Sequence, residues 1–169
     1  MALVTTMVLM GEIQVFKGPA HFTCLGLGSC VGLCAFDPVN GVAGMTHIVL
    51  PAAFEAGPGR PGRFADRAVP EMIAMMGRLG AVRKNLRVAL AGGAQVLDRA
   101  GGRKLLEIGE RNVVAVREQL DILELPCFSE DTGGTRARTL MLDSETGEVT
   151  VRSLAGENRL LCNLRGKAA

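Results

Sequence analysis

Two apolar runs joined by one turn constrain this chain more than anything else in it. Val31 to Phe36 is almost wholly apolar, Ala43 to Leu50 nearly so, and Asp37-Pro38-Val39-Asn40-Gly41 lies between them. Proline pre-sets φ and Asn-Gly tolerates positive φ, so the five residues form a strong turn signal. Ala43 to Leu50 is predicted as a buried strand ended by Pro51. Val31 to Phe36 fits either a strand or a buried helix, because a short continuous apolar run has no readable period.

Weaker signals follow along the rest of the chain. Leu3 to Val15 alternates loosely around Gly11-Glu12 and predicts one or two short strands. Ala52 to Gly62 is the longest loop-like stretch and the expected mobile segment. Asp66 is placed to N-cap a helix whose apolar face is Ala68, Met72, Met76 and Leu79, provided Pro70 lies in its first turn. Leu86 to Ala91 reads as a strand running into Gly92-Gly93. Val113, Val116 and Leu120 give Glu110 to Leu120 a helical face. Arg138 to Asp143 and Glu148 to Leu154 flank Ser144 to Gly147 as a hairpin. Strands and helices mix without strict alternation, so the expected class is α/β or α+β, a mixed β-sheet core in layers covered by helices. The expectation is one domain over residues 1–169.

Composition excludes several functions. Lys and Arg total 19 against 17 Asp and Glu, and there is no Trp, no Tyr and only 6 Phe, a poor basis for a base-stacking nucleic-acid surface. The apolar runs are too short for a spanning helix, and the apolar start lacks the basic segment of a signal peptide. A cytoplasmic protein with no membrane insertion is expected. Five cysteines are an odd number for a disulfide framework, so reactivity is the better question.

Cys24, Cys30, Cys34, His21 and His47 all fall in the first third. Gly26-Leu27-Gly28-Ser29-Cys30 misses a dinucleotide fingerprint, because the third glycine comes one place late, at Gly32. A zinc site is disfavoured by spacing, since the first two cysteines do not form a ligand knuckle. A nucleophilic thiol at Cys30 is the third reading: a glycine-rich turn leaves it uncrowded, and backbone N–H groups there can meet an oxyanion. If the two apolar runs lie side by side, His47 comes within reach, lowers the thiol pKa and supplies a proton. A buried structural cysteine beside an unrelated core histidine satisfies the same spacing. No metal or cofactor is expected. Cys34 reads as a core thiol, Cys127 and Cys162 as buried or incidental, and His21 as exposed.

Gly26-Leu27-Gly28-Ser29-Cys30-Val31, Asp37-Pro38 and His47-Ile48-Val49-Leu50-Pro51 together resemble the CheD family of chemoreceptor glutamine deamidases. The resemblance continues through Arg63-Phe64-Ala65-Asp66, Ala91-Gly92-Gly93-Ala94, Ile108-Gly109-Glu110-Arg111-Asn112 and Glu130 to Thr139. It implies a fold similar to the catalytic domain of cytotoxic necrotizing factor. It also implies Cys30 as nucleophile, His47 as its partner, and Gly28 and Ser29 in the oxyanion loop. The substrate would be a glutamine of a methyl-accepting chemoreceptor, converted to glutamate with loss of ammonia; some members are credited with methylesterase activity too. A CheC-type phosphatase of the response regulator CheY is the implied protein partner.

One departure stands out. The family's third residue is a Thr six places before the nucleophile, and here that place is Cys24, with Thr23 before it. A thiol is a weak donor and orients an imidazole poorly. Thr23 substitutes only through a one-residue strand shift, which would flip its face. Otherwise Cys24 itself, Thr46 or a backbone carbonyl holds His47, or the chain is a catalytically weak module that regulates a CheC-type phosphatase. Asp131 to Arg138, rich in glycine with two arginines, reads as a tight turn with solvated charges or as a contact surface.

Overall fold

The computed structural model describes residues 1–53, 59–95 and 103–166, with side chains from 107 onward in the last span. Ten strands and two α-helices occur among them, as the strands β1 (Val4–Met7), β2 (Ile13–Lys17), β3 (Ala20–Leu27), β4 (Val31–Asp37), β5 (Val42–Ile48), β6 (Arg87–Gly92), β7 (Cys127–Thr132), β8 (Arg138–Asp143), β9 (Glu148–Ser153) and β10 (Asn158–Asn163), and the helices α1 (Ala65–Arg78) and α2 (Arg103–Ile122). One sheet has the order β1-β3-β8-β9-β10 and the other β2-β5-β4-β6-β7. Each contains a single parallel pair, β1 with β3 and β6 with β7, and is otherwise antiparallel. The class is therefore mixed α+β, as expected.

The second sheet is the middle of three layers. Alternate residues of a strand face opposite ways. Val31, Leu33 and Ala35 of β4, with Val42 and Ile48 of β5, pack against Met72, Met76, Val113, Val116 and Leu120 of the helices. Cys34, Phe36, Ala43 and Met45 turn the other way, onto Phe22, Cys24, Leu140 and Leu142 of the first sheet. Every residue of β4 and β5 is buried. Their apolar runs are continuous because both faces are covered. Truncating Phe36, fully buried between the sheets, would cost about 3–5 kcal/mol.

The turn between these strands forms as predicted. The Asp37 carboxylate accepts the N–H groups of Val39 (2.9 Å) and Asn40 (3.0 Å), and Gly41 takes φ +66°. The Leu3–Val15 region becomes two strands, β1 and β2, in different sheets. Part of the expected mobile stretch, residues 54–58, lies outside the described residues.

Helix α1 corrects two expectations. Its N-cap is Phe64, in extended conformation, and Asp66 sits inside the first turn with its carboxylate turned to the Ala53 N–H at 3.2 Å. Pro70 falls within the helix beyond its first turn, where it removes the hydrogen bond to the Asp66 carbonyl. Ala68, Met72 and Met76 form the buried face as expected, and Leu79 caps the C-terminus. The second helix begins earlier than Glu110, at Arg103. Strands β7 and β10 were not anticipated, and β3 only as the strand around Thr23 and Cys24.

The registers gather five connections at one end of the sandwich. Val31 pairs with Ile48 and with Gly92, Gly92 with Thr132, and Leu27 with Arg138. Residues 28–30, 49–53, 93–95 and 133–137 therefore emerge together. The 8–12 segment joins them, because β1 runs parallel to β3 and Ile13 pairs with Thr46. Three of the crossings between sheets, 8–12, 28–30 and 133–137, occur here.

Candidate active site

Cys30 ends the crossing from β3 to β4 and is half-buried against the core between the sheets. The bend before it is set by glycine: Gly26 has φ +64° and stands at a bulge in the β3–β8 register between Cys24 and Leu27. Two amides from the end of β6 hold the crossing in place. Gly93 N–H donates to the Cys30 carbonyl at 2.8 Å and Ala94 N–H to that of Gly28 at 2.7 Å.

His47 faces the same inter-sheet space. It pairs across the strands with Gly32, two residues after Cys30, so pleating puts Cys30, Gly32 and His47 on one face. A side chain at Gly32 would reach Leu27 at 2.9 Å, Leu140 at 3.1 Å and Cys24 at 3.4 Å. Glycine there lets the first sheet close beside the imidazole. His47 is 4% exposed. Its Nδ1 lies 3.2 Å from the Val8 carbonyl oxygen, and its Nε2 is buried without a partner among the described residues. A carbonyl only accepts, so Nδ1 carries the hydrogen and Nε2 keeps its lone pair.

The main chain fixes this imidazole. Gly11 N–H donates to the His47 carbonyl (2.8 Å) and His47 N–H to that of Glu12 (3.1 Å), so the crossing that carries Val8 is laced to β5. The Cys24 thiol shares the Val8 carbonyl at 3.7 Å and reaches the Thr46 carbonyl at 3.9 Å. The Thr46 hydroxyl donates to Glu12 O. Thr23 lies on the other face of β3, alternating with the inward Phe22 and Cys24. Of the groups weighed for holding His47, a backbone carbonyl is the one hydrogen-bonded to its ring among the described residues.

Burial governs the charges. It pushes the Cys30 thiol above its ordinary value, opposed by the residue's own backbone N–H against the sulfur. It pushes His47 down, opposed by Val8. Cys24 is raised far out of the titrating range by burial, with Cys30 adding to the effect. The expected lowering of the Cys30 pKa is thus not found: desolvation outweighs the residue's own backbone N–H, and no hydrogen bond joins the thiol to His47 Nε2, so thiol and neutral imidazole are the resting forms.

The remaining candidates scatter. Cys34 is buried with its thiol on the Ala89 carbonyl. Cys127 is exposed and Cys162 half-buried. His21 pairs with Asp143 at 3.4 Å. Gly28 N–H is committed to the Gly26 carbonyl at 2.9 Å. In the 131–138 segment Arg138 is 11% exposed on its side chain and grips Asp131 and the Gly133 carbonyl. These residues line an open groove of about 460 Å³ with Val151, Glu157 and Arg159. No described helix is long and apolar enough to cross a membrane.

A family description, CheD chemotactic sensory transduction, matches residues 49–153. The chain belongs to the CheD family. It is 39% identical over 145 residues to a probable chemoreceptor glutamine deamidase CheD of Desulfitobacterium hafniense, covering 86% of this chain and 91% of that protein. To the chemoreceptor glutamine deamidase CheD of Thermotoga maritima it is 38% identical over 151 residues, covering 89% and 93%. A probable CheD deamidase of Lachnoclostridium phytofermentans is 37% identical over 146 residues, covering 86% and 91%. The family match begins at residue 49, past Cys30 and His47, so the case for those two rests on their geometry and on the motif around them.

Sequence reasoning missed the Val8 carbonyl and Asn112. The first has no side-chain signal. The second is buried and donates through Nδ2 to the carbonyls of Ser29 and Val49, each at 2.9 Å. Its signal was the Ile108–Asn112 segment, to which residue types and spacing alone assign no role.

Proposed function

We propose that this CheD-family chain is a protein-glutamine deamidase of methyl-accepting chemoreceptors, acting in the cytoplasm with no metal or cofactor. The observation that carries the reading is the His47 imidazole, held at Nδ1 by Val8, with Nε2 unpartnered on the face shared with Cys30. The names of the relatives supply the substrate class.

The chemistry follows from a neutral pair. As the glutamine carboxamide arrives, the Cys30 proton passes to His47 Nε2 and the sulfur attacks the amide carbon. The developing oxyanion meets the N–H groups of Ser29 and Cys30, since that of Gly28 is already used. Collapse breaks the C–N bond, and His47 returns the proton to the departing ammonia. Water, deprotonated by the same Nε2, then cleaves the thioester to release glutamate and the thiol. Val8 stabilises the imidazolium at each protonation, so Cys24 serves as packing and a weak second donor to the same carbonyl. The test is ammonia release from a receptor cytoplasmic fragment, present with the wild-type chain and lost with Cys30→Ala.

Cys24 at the place of the family's Thr favours a second reading, a catalytically weak module that regulates a CheC-type CheY phosphatase. That partner would cover the end of the sandwich that carries Cys30. Co-elution with a CheC-type protein without ammonia release from any receptor fragment would establish it over the first.

A further inference from the structure

Asn112 ties together the two chain segments that carry the proposed nucleophile and base. It is fully buried on α2. Its single Nδ2 spans the carbonyl of Ser29, next to Cys30, and that of Val49, two residues after His47, each at 2.9 Å. Two acceptors at one nitrogen fix the amide orientation, because the flipped form would set its oxygen against both carbonyls. Neither carbonyl can move without breaking its hydrogen bond to the buried Asn112.

The helix that presents Asn112 is itself located against the same loop. Gly109, one turn earlier on the same face, sits so close to the 93–94 backbone that a Cβ there would meet the Ala94 oxygen at 2.5 Å and that of Gly93 at 2.7 Å. The amides of Gly93 and Ala94 in turn hold the carbonyls of Cys30 and Gly28. So Gly109 sets the height of α2 over the loop, and Asn112 reaches across it at fixed length.

We propose that Asn112 is a positioning residue that sets the spacing of Cys30 and His47, so that the thiol proton can reach Nε2. The proposal rests on the deamidase reading for its consequence in turnover. Its geometric core concerns only the coupling of the two side chains. A misplacement on the order of 1 Å can cost about 100-fold in rate.

The experiment uses the full chain with Asn112→Ala and Asn112→Leu, the second retaining the volume without the donor. Each is made with and without His47→Ala. Iodoacetamide labelling of Cys30, read by peptide mapping across pH, is followed beside thermal melting and receptor-fragment turnover. In wild type, His47→Ala should slow Cys30 labelling near neutral pH, because Nε2 takes the thiol proton as the sulfur attacks even though the resting thiol pKa is raised. In a folded Asn112 variant, labelling should already be slow, and adding His47→Ala should change it no further. The kcat should fall roughly 10- to 100-fold with KM held within about twofold. A merely structural Asn112 would lower the melting temperature and leave the His47 dependence of labelling intact, which overturns the proposal. If no receptor fragment is ever deamidated, the deamidase reading fails, and the labelling cycle still decides the role of Asn112.

Discussion

His47 Nδ1 and the Val8 carbonyl oxygen are 3.2 Å apart, and the Cys24 thiol approaches the same oxygen at 3.7 Å. One main-chain acceptor, among the alternatives left open by Cys24 at the place of the family's Thr, therefore holds the imidazole. Cys24→Ala should retain deamidase activity within about fivefold, because a weak thiol donor is lost and the stronger bond stays. Cys24→Thr should be at least as active as wild type. Steady-state turnover of a receptor fragment checks both, and a hundredfold loss in the alanine variant would show that the thiol, rather than Val8, orients the imidazole.

The pH dependence has a definite sign. Burial lowers His47 below its ordinary 6.5, so Nε2 remains an unprotonated base throughout the neutral range. Cys30 is raised above 9.0, so the pair keeps one proton to deliver to ammonia. The kcat/KM profile should hold through pH 6.5 and fall only below it, with a second fall above pH 9. An acid limb centred above 6.5 would mean an imidazole stabilised in its charged form, as by a carboxylate, and would contradict the neutral pair.

Gly32 faces His47 across the β4–β5 pair, and a Cβ there would lie 2.9 Å from a Leu27 methyl. Gly32→Ala should destabilise the protein by about 1–3 kcal/mol as the sheets are pressed apart. Denaturant melts measure this. A neutral result would show that the two sheets have slack beside the imidazole.

Gly92 has φ +118°, and a Cβ on it would meet the Cys30 oxygen at 2.2 Å. Backbone on both sides leaves nothing flexible to yield. Gly92→Ala should lower turnover by more than about tenfold while binding of the receptor fragment persists. Fluorescence anisotropy and ammonia release separate the two effects, and unchanged turnover would mean that the 92–94 segment does not position Cys30.

The hairpin at the centre was legible because its turn is local chemistry: Asp37, Pro38, Asn40 and Gly41 form it from their own side chains and φ preferences. Whether Val31 to Phe36 was strand or helix was not legible, since helices on one face and a sheet on the other erase the period of two. Strand β7, Cys-Phe-Ser-Glu-Asp-Thr, carries little apolar signal because it is an edge strand, aligned by a parallel pairing with β6 that the α2 crossover determines. Asp66 had the residue type of a cap, but its carboxylate is drawn to Ala53, a tertiary contact. At the site, Cys30 and His47 stood out as scarce, versatile residues. Val8 acts through a carbonyl that any residue would supply, and so left no mark.

The most direct measurement is mass spectrometry of a receptor cytoplasmic fragment from the same cell, incubated with wild-type protein or with Cys30→Ala. A gain of about one dalton at particular glutamines is expected with wild type alone, as amide nitrogen is exchanged for oxygen through the thioester. Unmodified glutamines under wild-type protein, or equal modification by the variant, would contradict deamidation through Cys30.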